Sequence, residues 1–249
     1  MSNSPTLSEK ASILIVTGCE GLKIAVDYLN EVGLSIDDPS DLIPALRKLV
    51  DAGDAQAAHS LSELAFYHLG ADLSLAEMMS LTEFAASRAI HAASVLRFNI
   101  STGTTSFEAF KQEAHWLIEA ENANYAPAAL ALAMIYEGAF SVPANPEESK
   151  RHLAIAVTLG SVQALAYAGL RLTHEPGNDV KLGVDYLLRA SELGNKDALQ
   201  FLEDAYRLGD FGFPRNKDIA DAYAKRLAIV CKPYAALDRS LPLIDTDDS

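Results

Sequence analysis

Small residues alternate with larger apolar ones in one short stretch, and the pattern returns along most of the chain. In AALALAMIYEG, residues 128–138, a small residue is followed four places later by an apolar one, then by a small one, and three beyond by an aromatic one. Residues at this spacing share one face of an α-helix. The pattern therefore predicts a helix whose small side chains let other helices approach closely, with a turn at Gly138.

The same spacing occurs five times at nearly constant intervals. Its first positions are residues 60, 92, 128, 164 and 198, so the steps are 32, 36, 36 and 34 residues. A second apolar pattern runs out of phase with it, in residues 45–54, 116–124, 152–161 and 186–195, with weaker copies at 81–89 and 223–231. Glycine or asparagine at the end of a helical pattern favours a left-handed terminating residue. The positions that end this second pattern are Gly53, Ala89, Asn124, Gly160, Gly194 and Cys231.

Helix-start signals lie between the two patterns. Ser74 with Glu77, Thr105 with Glu108, and Asn145-Pro146 with Glu148 each have the spacing of a capping box or its asparagine variant. Each repeat thus reads as helix, short loop, helix and tight turn. One such hairpin cannot bury its apolar faces alone, so the sequence predicts an all-α fold, an α-solenoid of stacked helix-turn-helix repeats with a period of about 34–36 residues.

The two patterns resemble those of the Sel-one-like repeat family, which is related to the tetratricopeptide repeats. The resemblance rests on an A…L-G…Y first helix and an A…W-x…A-A…G second helix, clearest in residues 126–231 and fainter in 40–125. Two features of the family motif occur once each, as Gly169 in a first helix and Trp116 in a second. The resemblance implies an α-solenoid used for protein–protein contact, often as a bacterial adaptor, regulator or assembly factor.

The repeat boundaries predict the organisation of the whole chain. Residues 1–8 are expected to be disordered, 9–39 to form N-terminal capping helices, 40–231 to form the repeat array, and 232–249 to form a closing segment with an acidic tail. No apolar run reaches the ~20 residues of a membrane span, and no signal-peptide cleavage site follows residues 11–19, so a cytoplasmic location is expected. Two distant cysteines, Cys19 and Cys231, favour free thiols over a disulfide framework.

The charge of the chain limits its partners. The formal net charge is −14 over 249 residues, which argues against nucleic acid and anionic membranes, because both need a basic surface. It is compatible with a basic protein partner.

No constellation of residues predicts an enzyme. ILIVTGCEG, residues 13–21, has only Gly18 and Gly21 of a dinucleotide-binding fingerprint, and the apolar pattern after it has helical spacing. His59 and Glu63 are a ligand-type pair without a third ligand, whereas His68, His115 and His152 fall at or beside repeat core positions. The carboxylate pairs Glu119/Glu121 and Glu203/Asp204 read as solvated faces. We therefore predict no catalytic residue, no metal site and no cofactor.

A candidate binding surface follows from the phase of the repeats. First helices of stacked hairpins line the concave side, and the position two residues before the repeat aromatic forms one column along it. A mostly apolar stripe that ends at an acid would accept an amphipathic helix or an extended peptide with lysine or arginine. Its predicted residues are Phe66, Phe98, Met134, Leu170 and Asp204, with Ser62, Ser94, Leu130, Ala166 and Gln200 four places before them.

Several functions remain open from the sequence. The leading hypothesis is a cytosolic adaptor or regulator that binds one protein through the concave groove. A compact, acidic chain also suits an immunity protein that neutralises a cognate toxin. The opposing classes are an enzyme with a groove-located carboxylate or metal site, and a structural protein that self-associates through an uncapped end.

Overall fold

The computed structural model of the protein describes residues 20–34, 41–101, 107–138, 142–174 and 177–230. Over these residues the chain forms twelve α-helices and no strand. The described residues divide into two compact units, one within residues 20–101 and the other within residues 107–230. In the described part, no helix combines the length and the apolar composition that crossing a membrane requires. The predictions for residues 1–8, for the tail 232–249, for Cys19 and Cys231, and for Thr105 fall outside the described residues.

The helices alternate along the chain as the two sequence patterns predict. The first unit contains α1 (Glu20–Glu31), α2 (Leu42–Asp51), α3 (Ala55–Phe66), α4 (Leu75–Ser87) and α5 (His91–Ser101). The second unit contains α6 (Phe107–Asn122), α7 (Ala126–Tyr136), α8 (Pro146–Thr158), α9 (Val162–His174), α10 (Val180–Glu192), α11 (Lys196–Leu208) and α12 (Lys217–Val230). The odd-numbered helices from α3 to α11 carry the first pattern, and the even-numbered helices carry the second. We call these the first and second helices of the repeats.

In the first unit, α1 packs against α2 and α3. Leu29 of α1 joins Leu42, Leu46 and Leu61 in one core, and all four side chains are fully buried. The Tyr28 hydroxyl donates a hydrogen bond to the carboxylate of Asp54, whose other oxygen caps α3 by accepting from the Ala57 amide at 2.8 Å. Burial and this bond raise the pKa of Tyr28 to about 12. The described helix within the predicted N-terminal segment is thus fastened to the first repeat.

In the second unit, each first helix packs against its second helix and against the next first helix. The hairpins are α7 with α8, α9 with α10, and α11 with α12, while α9 also contacts α7 and α11. Four of the five alanines of α7, at positions 128, 129, 131 and 133, are buried, on more than one face of the helix. A helix enclosed by several others needs small side chains, which explains the composition of residues 128–138.

Helices α9 and α10 approach each other closely at a pair of glycines. A Cβ atom added to Gly169 of α9 would lie 2.7 Å from Leu187 Cγ and 2.9 Å from the Gly183 carbonyl oxygen of α10. A Cβ atom on Gly183 would meet the Gly169 carbonyl oxygen at 2.9 Å. The single glycine of the family motif in a first helix therefore stands where α9 and α10 are in backbone contact.

The predicted helix ends share one turn geometry. Gly53, Ala89, Asn124, Gly160 and Gly194 all have positive φ, between 61° and 86°. At each of them the amide donates to the carbonyl three residues back, and the next amide donates to the carbonyl five residues back, as with Gly53 to Val50 and Asp54 to Leu49. This is the Schellman motif, repeated at five ends of second helices.

Two of the predicted helix starts lie in the described residues. Ser74 and Glu77 form a reciprocal capping box at the start of α4. The Asn145 side chain accepts a hydrogen bond from the Glu148 amide at the start of α8, where Pro146 is the first helical residue. Both therefore satisfy amides that a helix leaves unpaired at its N-terminus.

Candidate functional site

In the first unit, the predicted stripe falls on α3 and α5, and most of it is buried. Ser62 and Ser94 are inaccessible, and Phe98 is 8% exposed. The Ser62 hydroxyl donates to the Ala58 carbonyl 2.8 Å away, within its own helix. Phe66, at the end of α3, is half-buried and contacts the ring of Tyr67. The surface of this unit therefore offers Phe66 from the predicted set.

In the second unit, most of the predicted stripe is accessible. Met134 of α7 is 39% exposed, Leu130 and Leu170 are half-buried, and Gln200 and Asp204 of α11 are exposed. Ala166 is buried. The Gln200 amide donates to the Asp204 carboxylate at 3.2 Å, which holds that carboxylate along the helix. We call Leu130, Met134, Leu170, Gln200 and Asp204 the interaction face; it is apolar on α7 and α9 and acidic on α11.

The half-buried leucines of the interaction face are anchored in the core beneath it. Leu130 packs against Ala129, Ala156 and Ala164. Leu170 packs against the cluster that contains Leu165 and Phe201. These side chains are held in place before any partner arrives, so contact with them requires little ordering of the surface.

An aromatic cluster that the sequence did not predict joins three elements of the second unit. It consists of His174 at the end of α9, Phe201 on α11, and Phe211 in the loop after α11. The ring centroids of Phe201 and Phe211 are 4.8 Å apart, and those of His174 lie 6.1 Å and 5.9 Å from them. The only signal in the sequence was that LGDFGF, residues 208–213, departs from the family motif.

A buried histidine–carboxylate pair connects two repeats of the second unit. Nδ1 of His152 on α8 lies 2.5 Å from a carboxylate oxygen of Glu121 at the end of α6, and both side chains are buried. The ring of Tyr136 is stacked on His152 with centroids 5.4 Å apart. His152 is thus a paired structural histidine, as predicted. The prediction that Glu119 and Glu121 form a solvated face is wrong for Glu121, because this histidine supplies a partner from the next repeat.

A second polar network lies at the end of α7. The Glu137 carboxylate accepts hydrogen bonds from Tyr167 and Arg171 of the following repeat, and Ser149 of α8 donates to it at 3.2 Å. Three donors from two other helices therefore converge on one carboxylate. This arrangement links α7 to α8 and α9.

The other histidines have different surroundings. His59 is 3% exposed, and burial lowers its pKa to about 4. Its Nε2 is 3.7 Å from Glu63, while its Nδ1 has no hydrogen-bond partner among the described residues. His68 and His115 are exposed, so neither is itself a core residue. His68 is the left-handed residue after α3, next to buried Leu69, and His115 contacts the Trp116 ring from the surface of α6. No group of three or more His, Cys, Asp or Glu side chains in the described ranges is placed to hold a metal ion.

A cavity of about 310 Å³ opens between α8, α9 and α10. Its wall combines apolar Leu153 and Leu182 with Tyr186, and with the cationic side chains of Lys150 and Arg171. Arg171 is engaged by Glu137, which is outside the cavity lining. This concavity is distinct in composition from the interaction face and has room for one apolar side chain of a partner.

Comparison with solved structures identifies the fold. A Sel1 repeat protein from Oxalobacter formigenes matches with a TM-score of 0.65 and 17% identity, with 90% of each chain covered. An immunity protein from Pseudomonas aeruginosa matches with a TM-score of 0.61 and 14% identity, covering 99% of this chain and 91% of its own. A protective antigen of uropathogenic Escherichia coli with an SLR fold covers 89% of this chain and 54% of its own, at a TM-score of 0.41 and 16% identity. No protein-family model and no curated protein matches the sequence.

The predicted resemblance is confirmed at the level of the fold. The chain has the all-α solenoid fold of the Sel-one-like repeat proteins. At 14–17% identity the similarity establishes the fold alone.

Proposed function

We propose that this protein is a cytosolic adaptor or regulator that binds one protein partner through the interaction face of its second unit. The observation that carries the proposal is the composition of that face: exposed Met134 beside half-buried Leu130 and Leu170, followed by exposed Gln200 and Asp204. An apolar stripe on a rigid helical surface suits the apolar side of an amphipathic helix or an extended peptide. The carboxylate at its end and the net charge of −14 favour a partner with lysine or arginine beside its apolar residues.

A more specific role as an immunity protein is favoured by one observation. The Pseudomonas aeruginosa immunity protein matches this chain over almost its whole length and over most of its own. In this version the partner is a toxin, and binding at the interaction face neutralises it.

Affinity capture from cells that make the protein tests the proposal. The wild type is used beside Met134→Asp and a matched control, Ile118→Asp, whose side chain is 43% exposed on a second helix of the same unit. The proposal predicts one abundant protein that the wild type and Ile118→Asp retain and that Met134→Asp loses. Equal capture by all three would move the binding surface away from the interaction face.

Growth tests then separate the two roles. If the captured protein inhibits growth when it is expressed alone, and co-expression of this chain restores growth, the protein is an immunity protein. A captured protein without toxicity supports the adaptor or regulator role.

A further inference from the structure

The aromatic cluster of His174, Phe201 and Phe211 reaches the protein surface. Phe211 is 39% exposed and His174 is also exposed, whereas Phe201 is mostly buried beneath them. The three rings are inclined to one another by 45° to 68°, so their faces and edges point in different directions. The cluster adjoins the interaction face, since Phe201 lies one residue after Gln200 and one helical turn before Asp204 on α11.

Phe211 is held in this cluster in a strained conformation. Its φ is 55°, in the left-handed region, which is unfavourable for a bulky side chain. The neighbouring left-handed residues in this loop, Gly209 and Gly212, are glycines. An exposed phenylalanine at such a position gains only part of the burial that would offset the strain. Backbone strain of this kind concentrates at sites of function.

The polar groups around the rings suit a cation. Nδ1 of His174 lies 2.8 Å from the Leu170 carbonyl oxygen, so in the neutral ring Nδ1 carries the proton and Nε2 is a hydrogen-bond acceptor. Asp204 and Asp210, which both lie between Phe201 and Phe211 in the sequence, are exposed. The cation nearest along α11, Arg207, is engaged by the carboxylates of Glu203 and Asp221.

We propose that the aromatic cluster, with Asp204, binds a lysine or arginine side chain of the protein partner. The inference rests on the proposed function and adds the chemistry of its recognition. Ring faces attract a cation through the quadrupole of the π system, and the carboxylate and Nε2 accept its N–H bonds. The interaction face would then contact the apolar side of the partner segment. The cluster would bind one cationic side chain of that segment and so fix the position of the segment along the face.

A competing occupant is an apolar side chain, which the two phenylalanines would also accept. A bound cation and a bound apolar side chain would respond differently to two substitutions. Loss of the Asp204 carboxylate would weaken binding of a cation but not of an apolar side chain. Leucine in place of Phe211 would preserve an apolar contact but remove the π face that a cation requires.

NMR titration of the full ¹⁵N-labelled chain at low ionic strength tests the proposal. The probe is N-acetyl-lysine methylamide, and its uncharged comparison is N-acetyl-norleucine methylamide. The proposal predicts saturable shifts at His174, at residues 200–204 and at Phe211 with the lysine compound, and larger affinity for it than for the norleucine compound. Asp204→Asn and Phe211→Leu should each weaken lysine binding about three- to five-fold, whereas Asp185→Asn, at an exposed acid on α10, should leave it unchanged.

Other results would overturn the proposal. Equal binding of the two compounds would assign the cluster to an apolar side chain. Unsaturable shifts spread over the acidic surface, or binding that is the same in all three variants, would remove the site altogether. The titration uses no partner and leaves Met134 intact, so its failure is distinguishable from loss of the captured protein in Met134→Asp.

Discussion

The backbone contact between α9 and α10 predicts the effect of a single methyl group. Replacing Gly169 by alanine places Cβ 2.7 Å from Leu187 Cγ and 2.9 Å from the Gly183 carbonyl oxygen, both inside ordinary contact distance. The leucine can move, but the carbonyl belongs to α10 and can retreat only if that helix shifts. Gly169→Ala should therefore push apart the two helices of one repeat.

The expected magnitude is the difference of two opposing effects. Overpacking of a well-packed interior costs about 1–3 kcal/mol, whereas alanine in place of glycine inside a helix stabilises it by about 1 kcal/mol. Since one of the two close contacts is with the backbone, we expect the steric effect to prevail and the free energy of unfolding to fall by up to about 2 kcal/mol. Gly160→Ala is the matched control: its φ is 82° and an added Cβ has no atom within 4 Å, so its effect of about 1 kcal/mol is conformational alone.

Trp116 makes the assay specific to the second unit. It is the single tryptophan of the chain and lies on α6, so its fluorescence in urea follows the unfolding of that unit. A double-mutant cycle with Leu187→Ala distinguishes the steric effect of Gly169→Ala from the conformational effect of Gly160→Ala. Removing Leu187 Cγ relieves part of the clash, so Gly169→Ala and Leu187→Ala should couple by about 1 kcal/mol, whereas Gly160→Ala should not couple. If Gly169→Ala is neutral or stabilising, or shows no coupling, the close packing of α9 on α10 is refuted.

Three further stability predictions follow from single side chains. Ala89→Gly should raise the free energy of unfolding by up to about 1 kcal/mol, because φ at Ala89 is 61° and glycine removes that strain. The urea midpoint of unfolding should rise with it, and an unchanged or lower midpoint would contradict this. Since burial lowers the pKa of His59 to about 4, the unfolded state binds the extra proton first, and stability should fall by up to about 3 kcal/mol as the pH drops from 7 to 4. His59→Leu should flatten that fall in a pH series of urea titrations, and an identical slope would exclude His59 as its cause. Glu121→Ala should lower the free energy of unfolding by about 1–3 kcal/mol, because it leaves the buried Nδ1 of His152 without its carboxylate. Glu119→Ala, at an exposed residue, should change it by less than about 0.5 kcal/mol. Equal effects of the two substitutions would refute the buried pair.

The repeat fold could be predicted from the sequence because its signals are local. Positions such as Gly53, Gly160 and Gly194 recur at a fixed period, and a left-handed helix end depends on the residue and its immediate neighbours. Ala89 and Asn124 adopt the same turn without glycine. Asparagine itself favours a left-handed helix end, so only Ala89 was marked by the period alone.

The candidate site could be predicted only in part, because exposure depends on neighbours distant in sequence. Periodicity placed Phe98 and Met134 in the same column, yet Phe98 is buried on α5, while Met134 is exposed on α7. The Glu121–His152 pair joins residues 31 apart, and no local pattern links them. The aromatic cluster depends on the left-handed backbone conformation of Phe211, which phenylalanine rarely adopts. The conformational preference of this residue type therefore gives no indication of the cluster.

Hydrogen–deuterium exchange of the full chain with and without its captured partner tests whether that partner binds at the interaction face. We expect the partner to slow exchange in the first helices α7, α9 and α11, including the segments around Met134 and Asp204. Exchange in the second helices α8 and α10 should be unchanged. Protection confined to α8 and α10, or to the first unit, would contradict binding at the interaction face.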